Sequence, residues 1–250
     1  MPDAWRLSLG TLTALPCRPP TAVDTQVAGR AALLAPVAAV PLGTAAAVTG
    51  WLGTVLGLAP LAVAVMVVAA VVAGNRAFHV DGLADTADGL TVSYDAARSL
   101  AVMKSGSVGP AGATAILLVL GTQVGAVVSL LALPRGPVVV GCLVALSRVG
   151  HTPACARPVP SVSGGLGAAY ARSLAVPAVT AQWVVAAAAA SVVLGWAGLP
   201  WRQAPVGFAV AVVAVLLLVR RASRRLGGVN GDVFGAAIEV TLACLLVAAT

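Results

Sequence analysis

Charge is the scarcest commodity in this sequence. Only 9% of its 250 residues are Asp, Glu, Lys or Arg, and just eight are acidic. A soluble domain of this length carries roughly a quarter charged residues, so that class is excluded. Cysteine is sparse too: Cys17, Cys142, Cys155 and Cys244 form no CxxC pair and have no histidine at metal-ligand spacing. That pattern argues against a disulfide framework or a zinc site. An internal repeat and a separable soluble domain are both lacking, and residues 1–250 read as one integral-membrane unit. The N-terminal residues are too polar for a secretory signal, with Asp3, Arg6 and two threonines interrupting any apolar core.

What fills the chain instead is apolar. Hydrophobic residues make up 60% and mean hydropathy is +1.00. Small residues are abundant, as closely packed membrane helices require. Runs long enough to cross a bilayer predict spans near 31–50, 52–73, 111–131, 137–155, 177–196, 204–219 and 233–250. The expectation is an all-α, polytopic membrane bundle of about seven helices with a cytoplasmic N-terminus. Pro36, Pro41, Gly43 and Gly50 interrupt the first pair, and Arg148 lies near the end of the fourth span.

The net charge of +7 belongs to this topology rather than to nucleic acid. With the N-terminus inside, thirteen of the fifteen Lys and Arg residues fall on inner segments, and only Arg135 and Arg202 fall outside. This is the positive-inside bias of a multi-pass protein. It predicts an inner (cytoplasmic) membrane location, with active-site segments near 75–109, 156–176 and 220–232 facing the cytoplasm.

Against that background residues 81–89, DGLADTADG, stand out. Asp81, Asp85 and Asp88 follow an i, i+4, i+7 spacing that places them on one helical face. Like charges stacked so closely repel, and a hard divalent cation such as Mg2+ is the natural partner. Further features share the inner side. Glu239 lies seven residues beyond Asp232 on one face of the last span, about 10 Å deeper, where an ionisable group needs a cavity or a partner. The sequence GGVNGD (227–232) precedes that span; Gly228 and Gly231 allow close backbone approach, and Asn230 and Asp232 can cap the helix. Lys104, in the Gly- and Ser-rich stretch MKSGSVGPAG (103–112), is either a phosphate contact or a snorkelling lysine. Arg148, nearest the apolar core, has the strongest case among the arginines for meeting a phosphate. His79 fits a supporting or interfacial role rather than a ligand. Acids that bind magnesium over a diphosphate point to phosphoryl transfer. Composition and spacing name no substrate.

HVDGLADTADG (79–89), MKxxxVGPAG (103–112), LGGVNGDVFGAAIE (226–239) and the N-terminal LTALP (12–16) together resemble the cobalamin synthase family, the adenosylcobinamide-GDP ribazoletransferases. The blocks occur in that family's order across essentially the whole chain. The resemblance implies a magnesium-dependent membrane enzyme late in vitamin B12 assembly. Such an enzyme joins adenosylcobinamide-GDP to α-ribazole or α-ribazole 5′-phosphate: the ribazole 3′-hydroxyl attacks the phosphorus on the cobinamide arm, and GMP leaves. Carried over by position, Asp81, Asp85 and Asp88 become metal and diphosphate ligands, and Asp232 a further acidic contributor. Glu239 becomes a metal ligand or the acceptor of the hydroxyl's proton. Lys104, Arg148, Gly228, Asn230 and Gly231 are the substrate-binding candidates. The family often has an aspartate after the MK lysine where this chain has Ser105, so position 105 is not expected to be essential. The partners expected are those two substrates and the lipid bilayer, without nucleic acid; a homo-oligomer is compatible with the chain.

Two other classes explain less. CDP-alcohol phosphotransferases begin their motif DGxxAR, but here Asp81-Gly82 runs on to Leu83, Ala84 and Asp85, and positions 93 and 97 are Ser and Ala. A cation- or proton-coupled transporter places its acids at mid-membrane depth, which suits Glu239 but not the aspartate block.

Overall fold

Short turns and long polar segments alternate along the chain, and this alternation sets the architecture. The computed structural model describes residues 2–162 and 164–250, and the described residues are helical apart from turns, loops and two isolated bridges. Helix α1 (Pro2–Leu12) packs on α2 (Thr25–Ala38), which is capped by the Asp24 carboxylate accepting from the Val27 amide at 2.7 Å. A break at Ala39 separates α2 from α3 (Val40–Val55). Pro36 and Pro41 account for it, since each removes a backbone donor from the helical ladder. After a tight turn comes α4 (Pro60–Gly74), then α5 (Phe78–Val92) and α6 (Ala96–Met103). Helix α7 (Pro110–Leu131) follows, and α8 (Gly136–Leu146) runs directly into a 3-10 segment, Ser147–Cys155. The chain ends with α9 (Leu166–Tyr170), α10 (Val176–Trp196), α11 (Gln203–Leu226) and α12 (Gly231–Ala248).

Among the described residues six helical stretches are long and apolar enough to cross a membrane: Thr25–Val55, Pro110–Leu131, Gly136–Cys155, Val176–Trp196, Gln203–Leu226 and Gly231–Ala248. The pair α4 and α5 passes as a seventh but is bent by 89°. Six to seven spans agree with the expected count. The first two differ in their limits. The sequence places a turn near Trp51, whereas α3 continues through Gly50 to Val55, and the chain reverses at Gly57, whose φ is +67°. Gly50 is a packing glycine: a Cβ there would sit 2.9 Å from Leu131 and 3.5 Å from Val67 and Pro137. Gly43 and Gly141 do similar work where α3 crosses α8, each lying against the other's backbone carbonyl.

The links at 56–59, 132–135 and 197–202 lie at one end of the bundle, where Arg135 stacks 4.5 Å over the Trp196 ring. The links at 75–77, 93–109, 156–175 and 227–230, together with α1, lie at the other end. There the Ala14 amide donates to the Gly74 carbonyl at 2.6 Å. Helix α5, turned away from α4 and carrying three aspartates, lies at this polar end rather than completing a span. It meets α12 backbone to backbone. A Cβ on Gly82 would fall 2.7 Å from the Asp232 carbonyl oxygen, and one on Gly235 would fall 3.0 Å from the His79 Cα.

Candidate active site

The α5–α12 crossing brings two of the sequence's acid blocks together. Asp81 on α5 and Asp232 in the first turn of α12 line one cavity of about 480 Å³ that opens at the polar end. Asn230 caps α12 by accepting from the Val233 amide at 3.2 Å, and its side-chain amide donates to Asp232 Oδ2 at 2.8 Å. One residue thus starts the helix and aims the carboxylate.

Asp85 is half-buried one turn beyond Asp81. Desolvation first, then the charges of Asp81, Asp232 and Asp88, push its carboxyl up to about 6. Uncompensated negative charge has collected here, and a cation would relieve it. Asp88 is buried and already engaged: its two oxygens accept from the amides of Gly109 at 2.7 Å and Gly112 at 2.9 Å, around the α7 N-terminus. Neither glycine has room for a Cβ beside that carboxylate. The VGPAG portion of the second motif block therefore serves as the receptor for the last aspartate of the first.

Among the described residues no three acidic, histidine or cysteine side chains converge tightly enough to cage an ion. Magnesium does not need such a cage, because it keeps several waters and takes one or two carboxylates plus substrate phosphates. Asp81 and Asp232, the two hard-oxygen donors that share the cavity, fit that habit, and Asp85 adds negative charge one turn away.

The remaining candidates are distributed around this centre. Gly231 lines the cavity, while Gly228 packs under the 160–162 loop, where a Cβ would lie 2.7 Å from the Val162 amide nitrogen. Lys104 is exposed at the C-cap of α6. Glu239 is fully buried behind the cavity wall, accepting from Gln123 Nε2 at 2.8 Å and lying 3.8 Å from His79 Nδ1. Arg148 is likewise fully enclosed. It donates to the Val144 carbonyl at 2.9 Å and Ser147 Oγ at 2.7 Å, leaving Nε and Nη2 without partners among the described residues. Its charge interacts with that of Glu239, so a buried polar layer underlies the site.

Among the cavity-lining side chains to which the sequence assigns no role are Thr11, His151, Tyr170 and Phe234. The last three rings pack edge-on or tilted, with centroids 6.1–6.3 Å apart. The available signal was the polar interruption SRVGHT (147–152) in an otherwise apolar span.

Comparison with known proteins follows the same lines. The Cobalamin-5-phosphate synthase family model matches residues 4–250. An adenosylcobinamide-GDP ribazoletransferase of Nocardioides sp. is 48% identical over 249 residues, covering 99% of this chain and 98% of that protein. Proteins of the same name from Frankia casuarinae and Pseudomonas paraeruginosa are 35% and 34% identical, covering 96% and 97% of this chain and 92% and 95% of their own lengths. No solved structure matches the chain.

Proposed function

The chain belongs to the Cobalamin-5-phosphate synthase family, and from that premise we propose that it joins adenosylcobinamide-GDP to α-ribazole or α-ribazole 5′-phosphate with release of GMP. The observation that carries this reading is the meeting of Asp81 and Asp232 on one cavity across the α5–α12 crossing. Phosphoryl transfer depends on positioning and electrostatic stabilisation more than on covalent help from the protein, and a site built on two helices in backbone contact supplies the first.

Asp81 and Asp232 would hold Mg2+, with Asp85 adding charge beside them; the ion when bound offsets the negative charge of a diphosphate. The chain's own residues do the rest. Asn230 fixes the direction of Asp232. The amides of Gly109 and Gly112 fix Asp88, which keeps α5 registered against α7. The apolar part of the wall keeps water from competing with the acceptor hydroxyl for the phosphorus. The thirteen inner positives support placing this end of the bundle at the cytoplasmic face of the cell membrane, where a nucleotide-linked substrate is found.

The test is GMP release by detergent-solubilised protein supplied with adenosylcobinamide-GDP, each acceptor in turn, and Mg2+. Release should require both the metal and an acceptor. Asp81→Asn and Asp232→Asn should each cut it by at least about 100-fold, the scale of losing one group that stabilises transition-state charge. Acceptor-independent release, or full activity in both variants, would sink the proposal.

A further inference from the structure

His151 sits on the 3-10 segment that ends the α8 span, 4% exposed, with its ring on the wall of the cavity shared by Asp81 and Asp232. Its Nδ1 lies 2.7 Å from the backbone carbonyl of Arg148. A carbonyl has no hydrogen to give, so Nδ1 must carry the proton. In the neutral imidazole Nε2 is then a lone-pair acceptor, and among the described residues it makes no hydrogen bond. Nε2 is thus the ring nitrogen available to the cavity that this residue lines.

His79, the other imidazole on this wall, is held differently. Its Nδ1 faces the side-chain amide of Asn75 at 3.3 Å and the Glu239 carboxylate at 3.8 Å. Asn75 can present either end of its amide, so this contact does not fix one tautomer. Glu239 itself is fully buried, accepts from Gln123 and does not line the cavity. His151 is the one imidazole here whose tautomer a backbone group dictates.

We propose that His151 Nε2 is the general base of the transfer, taking the proton of the acceptor hydroxyl; this rests on the reading of the site as a ribazoletransferase. The Tyr170 and Phe234 rings beside it form an apolar recess that suits the flat aromatic base of the acceptor. In the step, the acceptor oxygen bonds to the phosphorus of the cobinamide arm as its O–H bond breaks. The proton passes to Nε2, giving an imidazolium. The bond from that phosphorus to the GMP oxygen breaks, and GMP departs with the electron pair. The imidazolium then returns its proton to water. The Arg148 carbonyl, accepting from Nδ1–H throughout, steadies the charged ring.

The experiment compares wild type with His151→Asn and His151→Gly. Asparagine places an amide N–H where Nδ1–H was, so it preserves the bond to Arg148 while removing the base. It should keep Tm within about 2 °C and the KM for adenosylcobinamide-GDP within about threefold, while kcat falls by about 100- to 10,000-fold, the usual range for losing a general base. Free imidazole should restore turnover at least about tenfold in His151→Gly and leave wild type unaffected. Folded His151→Asn with kcat within threefold of wild type, or a change in KM alone, overturns the assignment. So does folded His151→Gly that ignores imidazole, which decides the matter if the asparagine variant does not fold. Failure of wild type to release GMP with either acceptor would overturn the transferase reading as well; an active wild type beside an equally active His151→Asn overturns only the base.

Discussion

Asp81 and Asp88 lie seven residues apart with the same charge, and the structure gives them opposite work. Asp81 is exposed to the cavity mouth and its carboxylate accepts no hydrogen bond among the described residues. Asp88 is sealed against two amides. The two should separate cleanly in mutants. Asp88→Asn puts an NH2 group against a backbone donor, costing about 1–3 kcal/mol for the unsatisfied group, so thermal unfolding in detergent should shift down by several degrees. Asp81→Asn should leave Tm unchanged and remove turnover. Equal Tm values for the two variants would contradict the division of roles. Periodicity alone treats the three aspartates as one face, because it records direction around a helix and not what packs there. Arg148 shows the same limit. Its place near the core suggested a phosphate contact, but the 3-10 turn folds it inward, where its head group meets a carbonyl and a hydroxyl of its own segment.

Between elements, glycine decides how closely α5 and α12 approach. A methyl on Gly82 would stand 2.7 Å from the Asp232 carbonyl oxygen and 2.9 Å from its Cα. Backbone cannot yield as a flexible side chain can, so Gly82→Ala must push the helices apart and misalign Asp81 with Asp232. Overpacking of this kind costs about 1–3 kcal/mol, and an ångström of misplacement can cost about 100-fold in rate. Gly121 and Gly125 on α7 have nothing within 4 Å of an added Cβ. Gly121→Ala and Gly125→Ala should therefore leave activity intact and hold or raise Tm, while Gly82→Ala loses both. Comparable Tm and kcat across the three variants would show that the crossing is not so constrained. These contrasting glycines look alike in the sequence, which explains why span composition was legible but some limits were not. Gly50 reads as a break yet lets α3 pack closely against Leu131, and the actual reversal uses Gly57 with its positive φ. The motif blocks were legible because each carries polar residues into an apolar chain. His151, Tyr170 and Phe234 join the cavity only through tertiary packing of the Ser147–Cys155 segment, α9 and α12, which no local pattern encodes.

At the scale of the whole molecule, every long polar link meets α1 at one end of the bundle, and the other end carries three short turns. An odd number of crossings, with α4 counted, puts the two chain ends on opposite sides of the bilayer. The charge distribution supports the proposed sign, with the site-bearing end toward the cytoplasm. Two positions report on this directly. Cys17 lies on the site-bearing side and is partly exposed, and Arg202 is exposed in the α10–α11 turn at the far end. A membrane-impermeant maleimide applied to right-side-out vesicles should spare Cys17 until the bilayer is opened with detergent. In a Cys17→Ser background, Arg202→Cys should be labelled at once. The reverse pattern would invert the molecule and leave the cavity facing away from the nucleotide pool. Labelling of both positions from one side would mean an even number of crossings, with α4 and α5 forming a re-entrant hairpin rather than a span. The 89° bend between them makes α4 the element on which this count turns. At about 22 Å for its fifteen residues, α4 is shorter than a hydrocarbon core of about 30 Å. The bilayer must thin beside it, or water must reach in from the cavity side, and the acid-lined vestibule at its inner end suits the second.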